Sequence, residues 1–157
     1  MRIDYQFDND EINCSIQGLT SLGQDLRPIT RAISMVLAGE SEDAFEKEAD
    51  PTTGQPWPVL SEAYRERLEK KGKNGKMLQR SQGGLAMSLT PDFDAVSAAI
   101  GTNKVYGALM HLGGTPAMPA APAAVKARPY MGLPPEGIIR IVDIINQMHQ
   151  NALNGQG

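Results

Sequence analysis

Two histidines, one cysteine and a few close carboxylate pairs are the residues of this 157-residue chain best suited to catalysis or metal binding. Their spacing argues against both. His111 stands just before Gly113 and Gly114, and His149 falls on the exposed side of a helical stretch; neither belongs to a His-x-x-x-His or Glu-x-x-His pair. A turn or interface role is the expectation for His111, with an enzyme built around it as the weakest rival. Cys14 is alone, which excludes a disulfide scaffold and a cysteine zinc site. It opens a helix, where a thiolate would be stabilised, but no histidine is near it in sequence and a small buried residue is the favoured reading. Asp92 and Asp94 flank Phe93 as turn formers. Gly83 and Gly84 after Ser81 lack the lysine and hydroxyl of a phosphate loop. No catalytic residue, cofactor or metal is expected.

Charge is the next feature that can act. Glu40 to Asp50 holds six carboxylates against Lys47, and Arg65 to Arg80 holds Arg65, Arg67, Lys70, Lys71, Lys73, Lys76 and Arg80 against Glu66 and Glu69. The net charge of -3 disfavours a protein dominated by nucleic-acid binding, though a small nucleic-acid-binding module using residues 65–80 stays open. Two other readings stand beside it: a solvated helix face, or complementary strips that meet head to tail between identical subunits and close into a ring. Exposed ion pairs contribute about 0–1 kcal/mol each, so affinity would need apolar anchors. Trp57 and Tyr130 are the expected ones, unless Trp57 is a core residue and Tyr130 plugs the sheet at a packed junction before the last helix, with Arg65, Arg67 and Lys70 setting orientation. Arg128, held extended before Pro129, offers a fixed fork of donors to carboxylates or carbonyls, within the subunit or across an interface.

These residues need a scaffold, and 157 residues suffice for one core. Hydrophobic residues make up 41% but aromatics only 5%, so that core is mainly aliphatic. No apolar run approaches the roughly 20 residues of a membrane span, and Met1 to Asp10 is too polar for a signal peptide. Ile3, Tyr5 and Phe7 alternate with polar neighbours, predicting a strand over Arg2 to Asp8. From Ile12 the apolar spacing becomes helical. One helix ends near Gly23, and a second starts with Asp25 as its cap and Pro28 in its first turn, ending at Ala38 and Gly39.

Ser61 caps a helix to about Lys71. Leu85 to Ile100 reads as a hairpin turning at Pro91 and Asp92, and Lys104 to Leu112 as a short helix. Thr115 to Ala124, with three prolines, five alanines and no charge, reads as an extended, protruding loop. A final helix starts at Pro134 and Pro135. The expected architecture is a single α+β domain over residues 1–153: a small, mainly antiparallel sheet packed on helices, a long C-terminal helix, and a flexible tail at 154–157.

Four blocks carry a family likeness: Phe45, Pro51, Gly54, Trp57 and Leu60; Lys76 to Leu78 with Ser81, Gly84, Leu85, Met87 and Ser88; Ile100 to Thr102 with Tyr106, His111, Gly113 and Gly114; and Lys126 to Leu133 before the last helix. In this order they resemble the phage virion morphogenesis family, the tail-completion proteins of Mu-like and related tailed phages. Lys126 replaces the family's usual proline, Tyr130 and Met131 its Phe and Leu, Gln82 a glycine, and Gly107 a common alanine. The resemblance implies a non-enzymatic virion protein, assembled in the host cytoplasm and forming a homo-oligomeric ring of six subunits at the head-proximal end of the tail. It further implies tail tube and neck or connector proteins as partners, genomic DNA only as passing cargo, and no membrane.

Overall fold

The computed structural model describes residues 10–21, 23, 25–72, 75–79 and 84–155, without the side chains of 11, 12 and 15. The strand expected over Arg2 to Asp8 lies outside them. The elements are α1 (Asp10–Ser21), α2 (Arg27–Lys47), α3 (Glu62–Glu69), β1 (Leu89–Phe93), β2 (Ala98–Thr102), α4 (Gly107–Leu112), α5 (Ala120–Ala123) and α6 (Pro135–Asn154). A short 3₁₀ turn, Ala86–Ser88, leads into β1. Helices and a two-stranded antiparallel sheet make one α+β domain.

Helical periodicity builds the first of two core clusters. Leu19 of α1, Ile29 of α2, and Ile141 and Ile145 of α6 are buried together with Leu133. Asp25 acts one residue further out than expected: Leu26 occupies the cap position, while the Asp25 carboxylate accepts the Arg27 N–H at 3.0 Å. Pro28 sits in the first turn, where its missing N–H costs no helical bond.

The predicted stop at Gly39 does not occur, and α2 continues to Lys47. Glycine in a helix costs about 1 kcal/mol relative to alanine. The turns beyond it, however, bury Glu40, Ser41, Ala44 and Phe45 along the face begun by Ile29 and Ser34. That packing outweighs the glycine, and the chain turns instead at Glu48, which has a φ of 51°.

The second cluster joins Ala44, Phe45, Trp57, Leu85, Ile100, Tyr130 and Met131. Its sheet pairs Leu89 with Thr102 through to Phe93 with Ala98. The hairpin is therefore present, but its turn lies at 94–97, beyond the expected Pro91–Asp92. Asp94 decides this: its Oδ1 accepts the N–H groups of Val96 at 2.8 Å and Ser97 at 2.7 Å, a side-chain-made turn. Pro91 is tolerated within β1 opposite Ile100 because, among the described residues, the sheet has two strands and both are edges. Thr30 Oγ1 donates to the Asp94 carbonyl at 2.6 Å and ties the hairpin to α2.

The segment 115–124 also departs from expectation. It carries the one-turn helix α5 with bonds from Ala123 to Pro119 and from Ala124 to Ala120, and the Gly114 N–H closes its base on the Val125 carbonyl at 2.8 Å. Three prolines leave enough N–H groups for a single turn, provided each proline stands where no donor is needed.

Candidate functional site

The stretch 126–133 threads between the two clusters and is gripped from both sides. Arg128 is buried, as its place before Pro129 in an extended run allows. Its Nε and Nη2 donate to the Pro58 carbonyl at 3.2 and 3.0 Å, and its Nη1 to Lys126 O at 3.3 Å. Its backbone N–H donates to Met110 O at 2.8 Å. The Trp57 indole N–H donates to Pro129 O at 2.6 Å.

Tyr130 is wholly buried. Its N–H donates to His111 Nδ1 at 3.2 Å and its hydroxyl to Gly107 O at 3.0 Å. Phe45 stacks on Tyr130 at 5.3 Å and meets Trp57 edge-on at 5.7 Å; His111 meets Tyr130 edge-on at 5.1 Å. Burial lowers the His111 pKa below its ordinary value, with the Asp50 carboxylate opposing, so the imidazole is held neutral and accepts through Nδ1. This is the chemistry of a packed junction.

The junction relocates several expected site residues. Trp57 and Tyr130, named as interface anchors or core residues, are in the core at 3% and 0% exposure. Arg128 serves carbonyls of its own subunit. Arg65 and Arg67 on α3 and Lys70 at its C-terminal cap are exposed, and the four cations between 62 and 71 interleave with Glu62, Glu66 and Glu69. Lys73 and Arg80 of the same basic stretch lie outside the described residues.

The acidic strip is largely engaged within the subunit. Glu40 is buried and ion-paired with Arg140 of α6, and Asp43 bonds Lys47 at 2.8 Å. Glu48 accepts the Met77 N–H, and Asp50 Oδ1 accepts the Thr52 N–H at 2.8 Å. Glu42 and Glu46 face solvent. Cys14, expected buried, is exposed. His149, expected exposed, is half-buried, with its ring against Gly18 of α1. Among the described residues no cluster of three or more His, Cys, Asp or Glu is placed to hold a metal, and no helix is long and apolar enough to cross a membrane.

What the sequence reading missed is a groove of about 980 Å³ between α3 and the segment 121–126. Leu85, Met77 and Met110 line it, with Val59, Tyr64 and Tyr106 as exposed walls. Arg65 and Lys126 also line it. The available signal was Val59-Leu60, an apolar pair between Pro58 and the Ser61 cap with no periodicity to bury it.

The chain matches the phage virion morphogenesis family over residues 7–150. The chain belongs to that family. It is similar to a protein of Escherichia phage Mu named as a capsid assembly protein G, 37% identical over 142 residues and covering 90% of each chain. It is also similar to the Mu-like prophage FluMu G protein 1 of Haemophilus influenzae, 38% identical over 148 residues and 94% of each chain. No solved structure matches it.

Proposed function

We propose that this chain is a structural virion protein that assembles as a ring of identical subunits, six by family resemblance, at the head-proximal end of a phage tail. There it closes the tube and joins it to the neck, contacting tail tube and connector proteins while genomic DNA passes as cargo. Family membership supplies the virion role. The observation that carries self-association is the groove, an apolar surface with exposed aromatic and aliphatic walls, Val59, Tyr64 and Tyr106, on a domain that packs Phe45, Trp57 and Tyr130 inside. Exposed apolar patches of this kind mark interaction sites. The Mu relative is named for capsid assembly, which fits a component acting where head and tail meet.

The test is immunogold imaging of the phage particles together with a charge-reversed variant. Label at the head-proximal end of tails is the expected result, and label on tailless capsids alone overturns the tail placement. Reversing Arg65, Arg67 and Lys70 to glutamate should weaken assembly while leaving the urea midpoint of the subunit unchanged. Normal joining of heads to tails by that variant removes α3 from the contact.

A further inference from the structure

The β1–β2 hairpin ends in an apolar knob. Phe93 and Val96 stand out at its tip, 41% and 85% exposed. The turn that presents them is fixed: Asp94 Oδ1 accepts the N–H groups of Val96 and Ser97, the Asp94 N–H donates to Ser97 O at 2.9 Å, and Thr30 of α2 holds the Asp94 carbonyl. A knob held in one conformation loses little freedom on binding. Its charge is of one sign. Asp92 and Asp94 are the only charged residues from 81 to 103, and both are exposed.

The groove has the complementary character. Val59, Leu85 and Met110 give it an apolar lining, and the exposed cations Arg65 and Lys126 stand in it with the buried Arg128. Glu62 is the one carboxylate among its described lining residues. Knob and groove lie at opposite ends of α2. The knob is tied to Thr30, near the start of the helix. Met77 and Leu78 of the groove wall are tied to its end, where Lys76 Nζ donates to Glu46 O at 2.8 Å and Gln79 Nε2 to Phe45 O at 2.6 Å. From Thr30 to Glu46 is about 24 Å at a rise of 1.5 Å per residue. A subunit therefore cannot place its own knob in its own groove.

We propose that the hairpin tip of a second copy of this chain docks in the groove. Phe93 and Val96 enter the apolar lining between α3 and the segment 121–126, and Asp92 meets Arg65 and Lys126. Burial of the two apolar side chains supplies affinity, while the charges steer the approach and fix its direction. Each copy carries knob and groove in different places, so the contact is head to tail and closes into a ring where the rotation permits. The proposal rests on the self-association reading above and names the contact that produces it.

The test uses the full chain with Cys14→Ser, since Cys14 is exposed and would compete for disulfide formation. Copies carrying Ala95→Cys, beside the knob, are mixed with tagged copies carrying Ala124→Cys, in the groove, or, as control, Ile139→Cys, an exposed position on α6. Docking holds the first pair at a raised effective concentration, so mild oxidation should link it at least about tenfold more than the control pair. Val96→Asp in the Ala95→Cys copies should remove most of that excess without moving the urea midpoint, and Asp92→Lys should lower it several-fold. Equal yields at the two acceptor positions overturn the proposal. So does an excess that neither Val96→Asp nor Asp92→Lys reduces. Light scattering of the Cys14→Ser parent separates this contact from the reading it rests on. Association without the excess link means that copies meet through another surface, and a parent that stays monomeric at every concentration overturns self-association and this contact with it.

Discussion

The indole N–H of Trp57 donates to the carbonyl of Pro129 at 2.6 Å, across 72 residues of sequence. The same ring packs edge-on against Phe45, which stacks on Tyr130. One side chain thus joins the end of α2, the loop after it and the stretch before α6. Trp57→Phe keeps an aromatic ring but orphans the Pro129 carbonyl, and should cost about 1–3 kcal/mol. Trp57→Ala should cost about 3–5 kcal/mol through lost burial and a cavity. Urea denaturation of the purified subunit checks both, and an unchanged midpoint for Trp57→Ala would place the indole outside the core.

Gly107 stands where a side chain has no room. A Cβ there would lie 2.7 Å from Thr102 Cγ2 and 3.0 Å from the Tyr130 hydroxyl. Gly107→Ala should therefore destabilise this chain by about 1–3 kcal/mol. Thr102→Ser removes the clashing methyl and keeps the hydroxyl that meets Ser88 Oγ at 2.5 Å. The double variant should recover part of the loss, a coupling that a double-mutant cycle reads directly. Strict additivity would mean that Gly107 does not press on Thr102.

His111 makes stability depend on pH with a defined sign. Burial lowers its folded-state pKa below the unfolded value of about 6.5. Between these two values the unfolded chain binds more protons, so stability is full above about pH 6.5 and falls as pH drops toward the folded pKa. The structural cause is that protonation places a hydrogen on the Nδ1 that accepts from Tyr130 N–H. Urea midpoints measured from about pH 8 to pH 5 should fall for the native chain and fall less for His111→Gln, which keeps an acceptor and does not titrate. Parallel curves would assign the acid sensitivity to other groups.

Periodicity carried much of this fold in the sequence. Ile29, Ile33, Ile141 and Ile145 recur at helical spacing, and α2 and α6 follow from them with Pro28 and Pro135 in their first turns. The failures occurred where a local signal competed with a distant one. Gly39 is a good helix end in isolation, but Phe45 needs the helix to continue so that it can reach Trp57 and Tyr130. Pro91-Asp92 is a good turn in isolation, but Asp94 binds two N–H groups of the next residues and captures the turn. Whether Trp57 packs inside is decided in the same way: its partner, the Pro129 carbonyl, is invisible at a separation of 72 residues. The groove was illegible because its lining comes from distant stretches of the chain, Val59 to Arg65, Met77 to Leu85, Tyr106 to Met110 and Ala121 to Arg128, and no local pattern says that they meet.

The segment 115–124 separates a role in assembly from a role in folding. Its ends are already joined, since the Gly114 N–H meets the Val125 carbonyl at 2.8 Å, and α5 contains no buried residue. Backbone packing is close only at Gly114, where a side chain would run into Pro122 O and Ala123. Replacing 115–124 by two glycines should thus leave the urea midpoint of the subunit nearly unchanged, because shortening a closed loop alters its entropy by only about 0.6 kcal/mol per halving. The same deletion removes Ala121 and Ala124 from one side of the groove while Val59 and Tyr64 stay on the other. Light scattering should then show weakened self-association. If the shortened chain fails to fold, the segment is part of the core; if it folds and assembles as before, the groove wall it supplies has no part in the contact.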